Sequence, residues 1–163
     1  MIYIALGSNL GNSAQIIRDA IQQLAALSQK PILISSLWDT APVDCPPGSE
    51  RFVNAAVALT PFADETPQTL LAKLKKLEQQ FGRLPKKVLN EPRLLDLDLI
   101  AFGDRKISSA DLELPHPRAH LRRFVLAPLN EIAPDLILPG QSLAVKELLN
   151  QLLPGEIVRR IGR

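Results

Sequence analysis

Short apolar runs of strand length alternate along the chain with longer stretches whose apolar residues recur at helical spacing. Ile2 to Leu6 reads as a strand that ends at Gly7, and Gly7-Ser8-Asn9-Leu10-Gly11-Asn12 is turn chemistry. Ile16, Ile17, Ala20, Ile21, Leu24 and Leu27 then predict an amphipathic helix capped by Asn12 or Ser13. Ile32 to Trp38 and Phe52 to Leu59 predict the second and third strands, with a proline-bearing loop from Thr40 to Glu50 between them. Thr66-Pro67 reads as a cap followed by proline at the first helical position. Leu70, Leu71, Leu74, Leu77 and Phe81 give that second helix its apolar face, Lys73, Lys75 and Lys76 lie elsewhere on it, and Gly82 stops it.

Leu95 to Phe102 predicts a fourth strand with a turn at Gly103-Asp104. Leu114 to Arg118 is a second proline loop, and Arg122 to Ile132 and Leu143 to Leu153 read as helices, the first interrupted by Pro128. Glu156 to Ile161 is a short final strand or a fraying tail. The order strand, helix, strand, strand, helix, strand is the split βαβ pattern of an α+β, ferredoxin-like antiparallel sheet with helices against one face. No repeat or linker divides the chain, so residues 1–163 read as one domain.

Composition narrows the function classes. The single cysteine, Cys45, excludes an internal disulfide and fits a reducing, cytoplasmic setting. Residues 1–20 lack a signal-peptide pattern, and no apolar run has the length of a membrane span. A net charge of +2 argues for no nucleic-acid partner, and 4% aromatic residues leave little for an RNA-binding sheet face. Both signs of charge crowd the stretch from Arg83 to Arg123, as a site holding a polyanion through metal ions requires. A solvated surface has the same composition.

Asp96 and Asp98 are the first candidates for chemistry. Two apart on a strand, they point to one face, roughly 6.6 Å apart along the chain, and can share divalent cations. Leu95, Leu97 and Leu99 then point into the core and stiffen that ledge. On its own an Asp-x-Asp reads first as an amphipathic strand with one wet face. His116, fixed between Pro115 and Pro117, can donate to a phosphate oxygen, and Arg122 can clamp one bidentately. The bland alternative there is a surface loop. The basic loop from Arg83 to Arg93 can act as a lid or be an ordinary solvent loop. Thr40 to Val43 with Phe52 and Asn54 can form a small pocket offering a stacking face and a donor–acceptor pair. Taken singly, Phe52 and Trp38 read as core residues. Cys45 has no nearby base and is no nucleophile candidate, and no P-loop or dinucleotide fingerprint is present.

These segments run in one series: Ala5-Leu6-Gly7-Ser8-Asn9-Leu10-Gly11, Thr40-Ala41-Pro42, Phe52-Val53-Asn54-Ala55, Gly82-Arg83, Pro92-Arg93, Leu95-Asp96-Leu97-Asp98-Leu99, Leu114-Pro115-His116-Pro117-Arg118, and Pro128 to Asp135. The series resembles the 6-hydroxymethyl-7,8-dihydropterin pyrophosphokinases from the first strand to about Pro139. The resemblance implies an ATP-dependent transfer of pyrophosphate to the pterin hydroxymethyl group in folate synthesis, releasing AMP. It implies two magnesium ions on Asp96 and Asp98, with Arg83 and Arg93 as catalytic partners. Pterin contacts would fall on Thr40, Pro42, Val43, Phe52, Asn54 and Phe124, and nucleotide contacts on Glu78, Leu99, His116, Arg118 and Arg122. A monomer acting on small molecules alone is expected.

The series departs from the family at Pro85, at Leu89-Asn90-Glu91 and at Asp111, where relatives carry arginines and a tryptophan that closes over the pterin. Those departures predict looser pterin binding or a slower closing step. They also keep open a divergent enzyme for a modified pterin, or a non-catalytic nucleotide or pterin binder.

Overall fold

The computed structural model describes residues 1–82 and 93–162. Chain order gives β1 (Ile2–Ser8), α1 (Ser13–Ala25), β2 (Leu33–Ile34), β3 (Leu37–Thr40), β4 (Phe52–Leu59), α2 (Pro67–Gln80), β5 (Asp96–Phe102), β6 (Ile107–Ser108), β7 (Glu113–Leu114), a 3-10 turn (Ala119–Leu121), α3 (Arg123–Ile132), α4 (Val145–Gln151) and β8 (Val158–Gly162). The main sheet runs β5-β1-β4-β3-β8 with every pair antiparallel, and β2 also pairs with β4. This is the α+β, ferredoxin-like sheet that the element order predicts. Among the described residues no helix is long and apolar enough to cross a membrane.

Local chemistry places the element ends. Asn12 caps α1 by accepting the Gln15 N–H, and Thr66 caps α2 by accepting the Thr69 N–H, with Pro67 at the start of the helix. Gly82 closes α2 at φ 89°, a left-handed backbone that a side chain resists. The predicted second strand is broken: Ser35 and Ser36 separate β2 from β3. The Ser35 hydroxyl accepts the Ala56 N–H across the gap.

One expectation is corrected. Helices cover both faces of the sheet, not one. On the first face α1 and α2 bury Ile17, Leu24, Leu70 and Leu74 against Ile4, Val57, Leu95 and Leu97. On the second, α3 and α4 bury Val125, Leu126, Leu129 and Val145 against Ala56, Ile100 and Ala101. A sheet covered on both sides needs apolar residues at consecutive strand positions. Phe52–Leu59 has them: its last six residues are all buried.

A register shift between β1 and β5 carries the site's geometry. Ile4 pairs with Leu99 and Tyr3 with Ala101, so Ile100 is an extra residue in β5. Leu99 faces the first cluster, whereas Ile100 and Ala101 both face the second. The Ile100 carbonyl accepts the His116 N–H at 2.9 Å, which fastens the proline loop to the aspartate strand. Between those two points the chain makes the short β6–β7 hairpin, a pair the hydrophobic pattern does not predict.

Candidate functional site

Asp96 and Asp98 leave β5 on the same side, into a cleft of about 310 Å³ above the β5-β1-β4 end of the sheet. Leu95 and Leu99 point the other way, into the core, and Leu97 lies partly under the cleft wall. The ledge is therefore held from below by packed leucines. Gly7 of β1 sits opposite both Asn54 and Asp96. A Cβ at Gly7 would stand 3.0 Å from Asn54 Oδ1, so glycine leaves room for the pocket floor.

Around the ledge, cations and neutral donors converge. Arg93 Nη1 pairs with Asp96 Oδ2 at 3.1 Å. Its Nε is buried and has no hydrogen-bond partner among the described residues, so it is a donor waiting for an acceptor. Arg122 ends the 3-10 turn and begins α3, with its guanidinium 5.4 Å from the centroid of the Phe124 ring. The Arg118 N–H donates to His116 Nδ1 at 3.2 Å, which leaves the imidazole proton on Nε2. Glu78 is buried on α2, and its Oε1 accepts the Leu97 N–H at 2.7 Å, tying helix to ledge.

Electrostatics sharpen this picture. Burial, then the Asp96 charge, push the Asp98 carboxyl up to about 7 despite opposing pulls from Arg122 and Arg93. Burial, then Arg122 and Arg118, bring His116 down to about 4, so the imidazole is neutral at pH 7. Burial also lowers Arg122, helped by Arg118.

A crowded carboxylate pair that Arg93 and Arg122 do not fully neutralise fits a divalent cation. Among the described residues no group of three His, Cys, Asp or Glu side chains gathers to hold a metal ion. Magnesium, which takes one or two carboxylates and completes its shell with water and phosphate oxygens, suits this donor set.

Another part of the cleft wall carries aromatic rings. Phe52 and Phe124 line it, together with Thr40, Val43 and Asn54. Asn54 Nδ2 donates to Thr40 Oγ1, which fixes the amide's direction. A ring with an apolar face and a polar edge matches such walls.

Of the sequence-derived site residues, Arg93, Asp96, Asp98, Thr40, Val43, Phe52, Asn54, Phe124, Glu78, His116, Arg118 and Arg122 all line this one cleft. Leu99 and Pro42 do not. Leu99 is 5% exposed and packed under the ledge, because the alternation that lifts Asp98 into the cleft turns its neighbour into the core. Pro42 lies in the loop beside the cleft but not on its wall. Arg83 and the lid positions Pro85, Leu89, Asn90 and Glu91 lie outside the described residues.

The sequence reading missed Leu71, Lys75, Asp44 and Cys45 on the cleft wall. Lys75 stands three residues before Glu78, a spacing that puts both on one helix face and was available as a signal. Trp38, expected in the core, is half-buried, and its indole N–H donates to Glu131 Oε1 at 2.7 Å.

The geometry has close relatives. The family model for 7,8-dihydro-6-hydroxymethylpterin-pyrophosphokinase matches residues 3–134. A Methylorubrum extorquens 2-amino-4-hydroxy-6-hydroxymethyldihydropteridine pyrophosphokinase is 36% identical over 157 residues, covering 96% of each chain. The Pneumocystis carinii folic acid synthesis protein fol1 is 35% identical over 96% of this chain, which spans only 20% of that longer protein. A Plasmodium falciparum HPPK-DHPS structure solved with pteroate shares the fold at a TM-score of 0.71 and 15% identity, over 92% of this chain and 42% of that one. With aspartate ledge, cation ring and aromatic pocket in one cleft, and with relatives matched along nearly the whole length, the chain belongs to the 7,8-dihydro-6-hydroxymethylpterin-pyrophosphokinase family.

Proposed function

We propose that this cleft is where the chain performs its family's reaction, moving the pyrophosphoryl group of ATP to the hydroxymethyl oxygen of 6-hydroxymethyl-7,8-dihydropterin. The oxygen attacks the β-phosphorus, its proton leaves to solvent, and AMP departs. One observation carries the assignment to this cleft: the Asp96–Asp98 ledge, the guanidinium groups of Arg93, Arg118 and Arg122, and a neutral imidazole donor line it together with two phenylalanines.

Asp96 and Asp98 would hold the magnesium, two ions in this reading, and bound metal would supply charge neutralisation on the phosphates. Arg93 directs its unpartnered Nε to a phosphate oxygen, and Arg122 and Arg118 absorb charge as the bridging bond breaks. His116 donates through Nε2 without adding a charge. Phe52 and Phe124 hold the pterin ring while Asn54 reads its polar edge. This reaction needs in-line positioning and charge neutralisation more than a strong base, and none is assigned. Because one chain supplies the whole set, and its single cysteine suits a reducing compartment, the reading is of a cytoplasmic monomer.

Incubation with ATP, magnesium and the hydroxymethyl dihydropterin tests the reading. AMP and pterin diphosphate form in equal amounts and only with all three components. AMP production indifferent to the pterin, or no AMP at all, rejects it.

A further inference from the structure

Asn9 lies just beyond β1, is 1% exposed, and is not one of the cleft-lining residues. Its hydrogen bonds go to two separate segments. Oδ1 accepts the Arg93 N–H at 2.9 Å, and its own N–H donates to the Arg93 carbonyl at 3.2 Å. Nδ2 donates to the Glu50 carbonyl at 3.3 Å. Arg93 in turn pairs with Asp96 on the metal ledge. Glu50 ends the loop that places Val43, Asp44 and Cys45 on the cleft wall and leads into Phe52. One buried carboxamide therefore joins the phosphate side of the cleft to its pterin side.

The chemistry of that junction asks for asparagine. The Arg93 N–H needs an acceptor and the Glu50 carbonyl needs a donor, within one short, rigid side chain. Aspartate would set an oxygen against the Glu50 carbonyl, and alanine would remove the partner of both backbone groups, which are part-buried. A shift of either segment is transmitted through a group with no freedom to absorb it.

We infer that Asn9 is a positioning residue that couples the two substrate subsites, so that a bound nucleotide tightens pterin binding through Arg93, Asn9 and Glu50. The inference rests on the assignment of Arg93 to the phosphate side. Two sites linked in this way influence one another reciprocally.

The test is calorimetric titration of the hydroxymethyl pterin into wild type, Asn9→Ala and Asn9→Asp, with and without magnesium and a non-hydrolysable ATP analogue. Wild type binds pterin roughly ten-fold more tightly with the analogue present, within the range of coupled sites. Both variants bring that factor to within about two-fold of unity, while nucleotide affinity without pterin stays near wild type and the melting temperature falls. Asn9→Asp is isosteric and carries the test if Asn9→Ala fails to fold. A variant that keeps the wild-type factor overturns the inference, as does a wild type with none. A loss of nucleotide affinity and melting temperature together, with the factor preserved, shows a merely structural residue and also overturns it. A wild type that binds neither ligand instead sinks the functional reading itself.

Discussion

Asp98 sits above its ordinary carboxylate range and His116 below its ordinary imidazole range, and the two act on stability with opposite sign. Between its usual 3.8 and about 7, the Asp98 carboxyl stays protonated in the fold while the unfolded chain ionises, so stability falls as pH rises. Between about 4 and its usual 6.5, His116 stays neutral in the fold while the unfolded chain takes up a proton, so stability rises with pH. Across the shared window the two slopes offset. Asp98→Asn should uncover the histidine slope, giving a metal-free protein whose melting temperature climbs from pH 4 to 6.5. His116→Gln should uncover the opposite slope up to about pH 7. Identical pH profiles for both variants and wild type would refute these assignments. In catalysis, Asp96→Asn or Asp98→Asn should lower AMP formation by on the order of 10²–10³-fold or more, with the far-ultraviolet spectrum unchanged.

At the scale of the element, Glu131 on α3 clamps β3. It accepts the Ser36 N–H at 3.0 Å and the Trp38 indole N–H at 2.7 Å. Removing it strands two donors, each costing about 1–3 kcal/mol where buried. Glu131→Ala should lower stability by about 2 kcal/mol in urea unfolding. Emission from Trp38, the chain's one tryptophan, should shift red in the folded state. By contrast Thr66→Ala removes the α2 cap, and Thr66 is not on the cleft wall. It should cost about 1 kcal/mol and leave turnover as it is.

Much of this scale was legible in the sequence. Phe52–Leu59 and the Thr66-Pro67 start announce themselves through an apolar run and capping chemistry. The β2–β3 break did not, because Ser35 interrupts the ladder through a side-chain bond to Ala56 that only the tertiary arrangement creates. The β6–β7 hairpin is too short for a periodic signal, and Pro128 sits inside an intact α3 where interruption was expected. Asp96, Asp98 and His116 were legible as chemistry. Asp44 and Cys45 were not, because a loop's path decides which of its polar residues meet a cleft; Lys75 showed only through its spacing to Glu78.

For the whole molecule, the second helical layer matters most to the site. α3 brings Phe124 and Arg122 to the cleft at its first turn, and its register is set by Val125, Leu126 and Leu129 against the far face of the sheet. Leu126→Ala should cost about 2–5 kcal/mol and also weaken pterin binding, because the helix that carries Phe124 settles into the cavity. Ile17→Ala, in the layer beneath, should cost a similar amount with pterin affinity near wild type. Denaturant curves paired with pterin titrations separate the two outcomes. The sequence already hinted at the second layer in the apolar run Ala55 to Leu59 of β4. The small side chains that form the layer's floor, Ala56 and Ala101, looked like weak strand residues rather than a docking surface.

The His116-to-Ile100 bond makes the intervening stretch a detour, leaving β5 and returning to it. Leu112 and Leu114 moor its return leg in the core, while Ala110 at the tip is exposed. Slack added at the tip is never felt by the carboxylates or the imidazole, since both are tethered to the same strand. Two or three extra glycines after Ala110 should therefore leave the enzyme working. A single residue removed between Asp98 and Ile100 takes out the β5 bulge and turns Ile100 to the opposite face, which should release His116 and slow turnover.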